Sequence, residues 1–232
     1  MKKVIVFFSA VILVFACTKK SDNTMTVSGN IDGLKKGTLY FQKSQDSALI
    51  TIDSLEIKGD GNFTFSYEIE SPEPFYLYLD KADNNDINDR ITFFGEPGEI
   101  IINTSWNTFD TKSKISGSKS NDKFKEFQEM LSKFNTRDFA LAKASLLPEI
   151  KSVQEKVDSI ELLRQSNLLS RYKYVLNFGL ANPGSYVTPY VTLIEAPDAN
   201  PKYLDSINNS LTKEVANSKY GKKFNTYLEA LE

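Results

Sequence analysis

Histidine is missing altogether from the 232 residues, and cysteine occurs once, at Cys17. These shortages remove whole reaction classes. Without imidazole there is no Ser-His-Asp or Cys-His nucleophile system, no histidine-ligated zinc and no histidine general base. With a single cysteine the chain has no internal disulfide, no C-x-x-C redox pair and no resolving thiol. Chemistry would fall to carboxylates, lysines, tyrosines or hydroxyls. A strong charge of one sign is missing too: 28 basic side chains stand against 30 acidic ones. That balance argues against nucleic acid as a partner and against a polybasic membrane surface.

Long apolar runs are equally scarce. The one that stands out, Val4 to Ala16, has 13 residues behind the positive pair Lys2 and Lys3. It is too short to cross a hydrocarbon core roughly 30 Å thick as a helix, and it has the form of a cleaved signal peptide. Val14, Phe15 and Ala16 run directly into Cys17, the lipobox arrangement. We therefore expect residues 1–16 to be a lipoprotein signal peptide and Cys17 to carry acyl chains, palmitate among them. Each buried methylene contributes about 0.8 kcal/mol, and stable anchoring takes two chains or more. Residues 17–25, polar and without periodicity, read as a lipidated tether. Removing Lys2 and Lys3 leaves 26 basic against 30 acidic side chains in the remaining 216 residues. A chain of that size can bury about 70% of its unfolded surface and needs no staple.

From Met25 to about Ile115 the apolar pattern has period two. Phe63, Phe65, Tyr67 and Ile69 alternate with Thr64, Ser66, Glu68 and Glu70, as on a half-buried strand. Lys58-Gly59-Asp60-Gly61-Asn62 has turn chemistry, so residues 48–58 and 62–70 are predicted to pair as a hairpin. By the same reasoning Val27 to Ile31 pairs with Thr38 to Phe41, while Ile91 to Phe94 and Glu99 to Asn103 are strands that flank Glu96-Pro97-Gly98, whose proline and glycine fit a tight turn. Phe75 to Leu79 supplies another strand. Short strands at this spacing indicate a sandwich or open barrel.

Near Ser116 to Asp122 the period becomes helical. Phe124, Phe127, Leu131 and Phe134 share one face, with Ser120 or Asn121 as N-cap. Ile150, Val153, Val157 and Ile160 follow Pro148, which either opens a second helix or kinks a long one. Tyr174, Val175 and Phe178 carry a third helix to Ala181, and Ser185 can cap the next. Asn200-Pro201 is a cap followed by an N1 proline, with Leu204, Ile207, Leu211 and Val215 behind it; Ser218 caps the last helix. The aromatic stripes are core faces rather than a ligand box.

The order of these elements resembles a family of envelope lipoproteins. In them an N-terminal β domain of unknown function and a helical linker precede a thioredoxin-like thiol:disulfide oxidoreductase domain of the peroxiredoxin and cytochrome-maturation type. The likeness is carried by VSGNIDGLKKGTLYF (27–41), IDSLEIKGDGNFTF (52–65), the Pro74 to Leu79 strand, FFGEPGEIII (93–102), ISGSKSND (115–122), NPGS (182–185) and SKYGKKFNTYL (218–228). In the oxidoreductases a C-x-x-C domain follows, whereas this sequence reaches Glu232 without one. The resemblance implies an envelope lipoprotein with the recognition half of that architecture.

Candidate chemistry is thin. Ser116 with Lys119, Ser120 with Lys123, Ser170 with Lys173 and Ser210 with Lys213 fit S-x-x-K, a spacing that chance supplies when serine and lysine are this common. Asp80, Asp83, Asp86 and Asp89 form an oxygen-rich loop that could take calcium. Its spacing fails the EF-hand pattern, because Ile87 and Arg90 fall on ligand positions and no glycine sits at the turn. Glu96 and Glu99 could act as a carboxylate pair only at the right separation in space.

The sequence thus predicts an α+β protein: an antiparallel β sandwich or open barrel at 26–118, then an all-α helical domain at 119–232. The expected function is non-catalytic binding in the envelope of a Gram-negative bacterium, lipid-anchored at the outer membrane with its face undecided. The expected partners are the membrane, through the anchor, and an unidentified envelope protein or glycan, with no nucleic acid, no cofactor, no metal and no catalytic residue. The alternatives are an accessory partner of a separate thioredoxin-like oxidoreductase and, further off, a carboxylate-based hydrolase. Interfaces between domains favour pockets, so the junction near Ser116 to Asp122 is the expected binding place. Replacing Cys17→Ala should abolish incorporation of radiolabelled fatty acid and shift the protein out of the membrane fraction; unchanged labelling would refute the anchor.

Overall fold

The computed structural model describes residues 23–46, 48–81 and 89–231. Cys17, the signal peptide, most of the tether and residues 82–88 of the aspartate loop lie outside these. Eight strands form two four-stranded sheets, and helices follow to the end of the described chain. The architecture is α+β, as the change of period implies.

The strands are β1 (Thr24–Asp32), β2 (Lys36–Gln45), β3 (Ala48–Lys58), β4 (Asn62–Glu68), β5 (Glu73–Asp80), β6 (Asp89–Gly95), β7 (Gly98–Ser105) and β8 (Lys114–Ser116). One sheet has the order β4-β1-β7-β8 and the other β3-β2-β5-β6. Their inner faces carry the alternating apolar residues, with Val27, Phe63, Phe65, Ile100 and Ile102 packing against Leu39, Phe41, Phe75, Leu77 and Phe93. Phe41 sits at the centre, its ring centroid 5.4 Å from those of both Phe65 and Phe75.

Neither predicted hairpin is one, and the turn at Glu96-Pro97-Gly98 does not make a third. β1 and β2, β3 and β4, and β6 and β7 each belong to different sheets, so the turn segments between them arch across the sandwich. Glycine and Asn/Asp serve an arch as well as a hairpin, and turn chemistry alone does not separate the two. One pairing also departs from the antiparallel expectation. β1 runs parallel to β7, from Met25 opposite Gly98 to Asp32 opposite Ser105, while every other ladder is antiparallel.

The helices are α1 (Lys119–Ser145), α2 (Pro148–Lys151), α3 (Gln154–Ala181), α4 (Val187–Glu195), α5 (Pro201–Ser210), α6 (Lys213–Ala216) and α7 (Lys219–Glu229). Pro148 opens the short α2 at its first turn. Of the predicted second helix, Ile150 falls in α2, and Val157 and Ile160 merge with the predicted third helix in α3, since no glycine or proline interrupts Gln154 to Phe178. Asn200 and Ser218 cap α5 and α7 as expected, whereas α1 is capped by Ser118 rather than Ser120 or Asn121. Leu211 ends α5 and Val215 lies in α6, so the expected single face there is split. α1 and α3 are each about 40 Å long at 1.5 Å per residue, and they lie antiparallel as a hairpin.

Adjacent phenylalanines on β6 serve two cores. Phe93 points into the sandwich, and Phe94, on the opposite face of the strand, joins Phe124, Phe127, Tyr190 and Phe224 in the helical core. Both are fully buried. Phe94→Ala should cost about 3–5 kcal/mol, and because it unpins the helices from the sandwich, denaturation followed by fluorescence and by circular dichroism should split into two transitions. A single coincident transition would show that Phe94 is not the link.

Candidate functional site

The junction is built around the start of α1. Gly117, between β8 and the helix, has φ +93, and a Cβ there would lie 2.1 Å from the Glu99 carbonyl oxygen. Only glycine suits that position. It turns the chain so that Ser118, buried, caps α1 by accepting the Asn121 N–H at 2.9 Å while its own hydroxyl donates to the Phe94 carbonyl at 2.8 Å. The Asn121 side-chain oxygen accepts the Phe94 N–H at 3.0 Å. Glu96 accepts the N–H groups of Lys119 at 2.6 Å and Ser120 at 3.2 Å, and the Ser120 hydroxyl at 2.5 Å. The Asp122 N–H bonds the Ser118 carbonyl. The N–H groups of Lys119, Ser120 and Asn121, which have no partner inside the helix, are thereby satisfied, the Asp122 bond begins the regular i to i−4 series, and the carboxylate sits where the helix dipole favours negative charge.

This docking fixes which groups of β6 stay open. β6 is an edge strand, paired among the described residues only with β5. Phe94 stands opposite Pro74, which has no N–H, and its own N–H and C=O point away from β5 to α1. By the period of two, the N–H and C=O of Thr92 and Arg90 point the same way. They face a groove of about 570 Å³ bounded by Arg90, Ile91 and Thr92, by Asp110, Thr111, Ser113 and Ile115 ahead of and within β8, and by Asn121, Lys125, Gln128 and Glu129 on α1. Its volume is in the range of ligand sites. Its charges are mixed, one arginine and one lysine against one aspartate and one glutamate. The Arg90 guanidinium lies over the rings of Tyr76 and Tyr78, 5.9 and 5.8 Å from their centroids.

A second tie holds the helices to the sandwich below the groove. The Lys219 ammonium pairs with the buried Glu73 carboxylate and donates to the Ser44 carbonyl at 2.8 Å, and the Lys219 N–H donates to the Ser71 hydroxyl at 3.3 Å. Beside it Tyr190 and Tyr220 meet edge to face at 5.0 Å. Burial, with nearby Tyr76, pushes both phenols far above the ordinary tyrosine value, so each is a neutral packing group at physiological pH.

The other sequence candidates disperse. The Ser120 hydroxyl is given to Glu96 and Lys123 pairs with Glu126 at 2.6 Å. Ser170 and Ser210 donate to the carbonyls of Ser166 and Ile207, leaving neither hydroxyl oriented toward its lysine. Ser116 lies on exposed β8. Glu96 is a helix cap and Glu99 points outward from β7. Among the described residues no group of three or more acidic or thiol side chains could hold a metal, and no helix is long and apolar enough to cross a membrane. Asp83 and Asp86 lie outside the described residues. The site residues that sequence reasoning missed are Ser118, Phe94 and the edge groups of Thr92 and Arg90. A polar cap in this stretch was legible but was placed at Ser120 or Asn121; the bond to Phe94, 24 residues earlier, that goes with Ser118 was not.

Residues 25–124 match the family model described as "Domain of unknown function (DUF4369)". The match covers the whole sandwich and extends through Gly117, Ser118, Asn121 and Phe124, so it includes the docking turn. No curated protein matches the chain.

The tyrosine burial has a sign that can be checked. Folding raises both phenol pKa values, so the native state keeps its protons where the unfolded chain releases them. Stability is then full below about pH 10 and falls as pH rises above it. Urea midpoints should drop between pH 9 and 11 in the parent, with a flatter profile in a Tyr190→Phe, Tyr220→Phe variant; parallel profiles would place the alkaline sensitivity elsewhere.

Proposed function

We propose that the protein is a non-catalytic binding module of the cell envelope, anchored by lipid on Cys17, and that it takes an extended segment of a partner polypeptide along the edge of β6. The observation that carries this reading is the groove at the strand and helix junction, into which Thr92 and Arg90 present main-chain donors and acceptors. Open strand edges template pairing with another chain unless they are covered. Here α1 covers the edge at Phe94 and stands off from it at Thr92 and Arg90. An added strand would take its affinity from main-chain hydrogen bonds and its selectivity from alternate side chains meeting Lys125, Gln128 and Glu129 on one side and Asp110 and Ile115 on the other.

Lipidation and envelope location rest on the lipobox and the polar residues after it. The resemblance to β domains that accompany thioredoxin-like oxidoreductases makes a separately encoded protein of that kind the first partner to try. Its catalytic cysteines would act in the complex, since this chain supplies no thiol beyond Cys17.

Selection of random ten-residue peptides displayed against the immobilised protein should yield binders. Thr92→Pro removes an N–H that faces the groove rather than the β5 ladder, so the fold should persist while binding of those peptides falls at least about tenfold, the loss of roughly 1.4 kcal/mol expected for one main-chain bond. Binders indifferent to Thr92→Pro would overturn the edge as the site.

A further inference from the structure

We infer that the outer face of α3 is a self-association surface, on which two copies of the chain pair antiparallel about a twofold axis. Helix α3 buries Asn167, Val175, Phe178 and Gly179 against its own chain, yet Leu162 and Leu169 are 65% and 59% exposed. They lie two turns apart in one row, on the side away from α1. A helix with apolar residues on both sides calls for a second partner.

The residues specify what that partner is. In Leu162-Leu163-Arg164-Gln165-Ser166-Asn167-Leu168-Leu169 the leucines are placed symmetrically about the midpoint between Gln165 and Ser166. A twofold axis there sets Leu162 against Leu169 of the second copy, and twice over, as an isologous contact must. The same operation sets exposed Asp158 against exposed Lys173 of the second copy. A parallel alignment would instead oppose aspartate to aspartate and lysine to lysine, which is unfavourable. Charge and apolar pattern thus select one orientation and one register. The overlap, Asp158 to Lys173, is about 24 Å long, and a strip of that length about one helix diameter, ~10 Å, wide falls well short of the ~800 Å² per partner of a standard stable interface. The dimer is accordingly weak, with a Kd on the order of 10–100 μM.

Cross-linking reads the register directly. In the full-length Cys17→Ala chain, which has no thiol, Leu162→Cys and Leu169→Cys are made separately and treated with a short thiol-to-thiol cross-linker at about 100 μM, within the range where such a dimer populates. The mixture of the two should give a cross-linked dimer well above that of either variant alone. Lys173→Glu introduced into both should lower the yield about fivefold or more, by opposing like charges, and Asp158→Lys together with Lys173→Glu should restore it. Circular dichroism should be unchanged throughout, since all four positions are exposed. A mixture that gives no more product than the single variants, or a charge swap that fails to restore it, would overturn the antiparallel pairing.

Discussion

The first turn of α1 is held to the last residues of β6 by a small set of buried hydrogen bonds, and much of the rest follows from that docking. A helix N-terminus offers four N–H groups with no partner of their own, and a sheet edge offers N–H and C=O groups in the same condition. Ser118 and Asn121 settle both debts of hydrogen bonding at once: Ser118 serves Asn121 N–H and the Phe94 carbonyl, and the Asn121 side chain serves the Phe94 N–H. Glu96 completes the turn from the loop after β6. Leaving any of these buried groups unmade would cost about 1–3 kcal/mol. The direction in which α1 leaves the sandwich is therefore set by paired polar groups, with Phe94 supplying the apolar anchor.

From that direction come the two other features of the molecule. Because α1 meets β6 only at its end, the strand edge further back stays open and a groove forms between them. Because α1 then runs on for about 40 Å, about half of its length and of that of α3 lies beyond their buried residues. The buried residues of α1 stop at Leu131, and the exposed leucines of α3 lie at the far part of the same hairpin. The open edge and the bare helix face are thus two consequences of one docking geometry, and they can serve different partners without competing for the same residues.

The chemistry open to the chain agrees with a role in binding. Its buried ionic pair, Lys219 with Glu73, and its buried phenols, Tyr190 and Tyr220, sit in the interface between helices and sandwich, where each has a packing or hydrogen-bonding partner. The hydroxyls that might have been nucleophiles are donated to backbone carbonyls or to a helix cap. What faces the groove is the main chain of β6 with the side chains of Arg90, Asp110, Lys125, Gln128 and Glu129, groups that can hydrogen-bond and pair charge with a partner.

Periodicity determined the class of fold without help from the tertiary structure: period two from Met25 onward, a helical period from about Ser116, and the inward face of β4, where Phe63 and Phe65 are buried. Local chemistry likewise settled the caps at Asn200 and Ser218, because a cap acts within a single turn, while it left two roles for Pro148, of which the structure shows the opening of α2. Sheet membership was beyond such reasoning. An arch and a hairpin draw on the same glycines and aspartates, so that β1 leaves its neighbour β2 for β7, in parallel, was decided only when two faces of apolar residues met across the sandwich. The same holds for Phe93 and Phe94, alike in sequence and sent to two different cores, and for Ser118, which caps α1 in place of Ser120 or Asn121 and whose bond to Phe94 spans 24 residues. Local patterns are written into neighbouring residues, whereas the choice of partner for a strand edge or a helix end is made by distant groups that only folding brings within bonding distance.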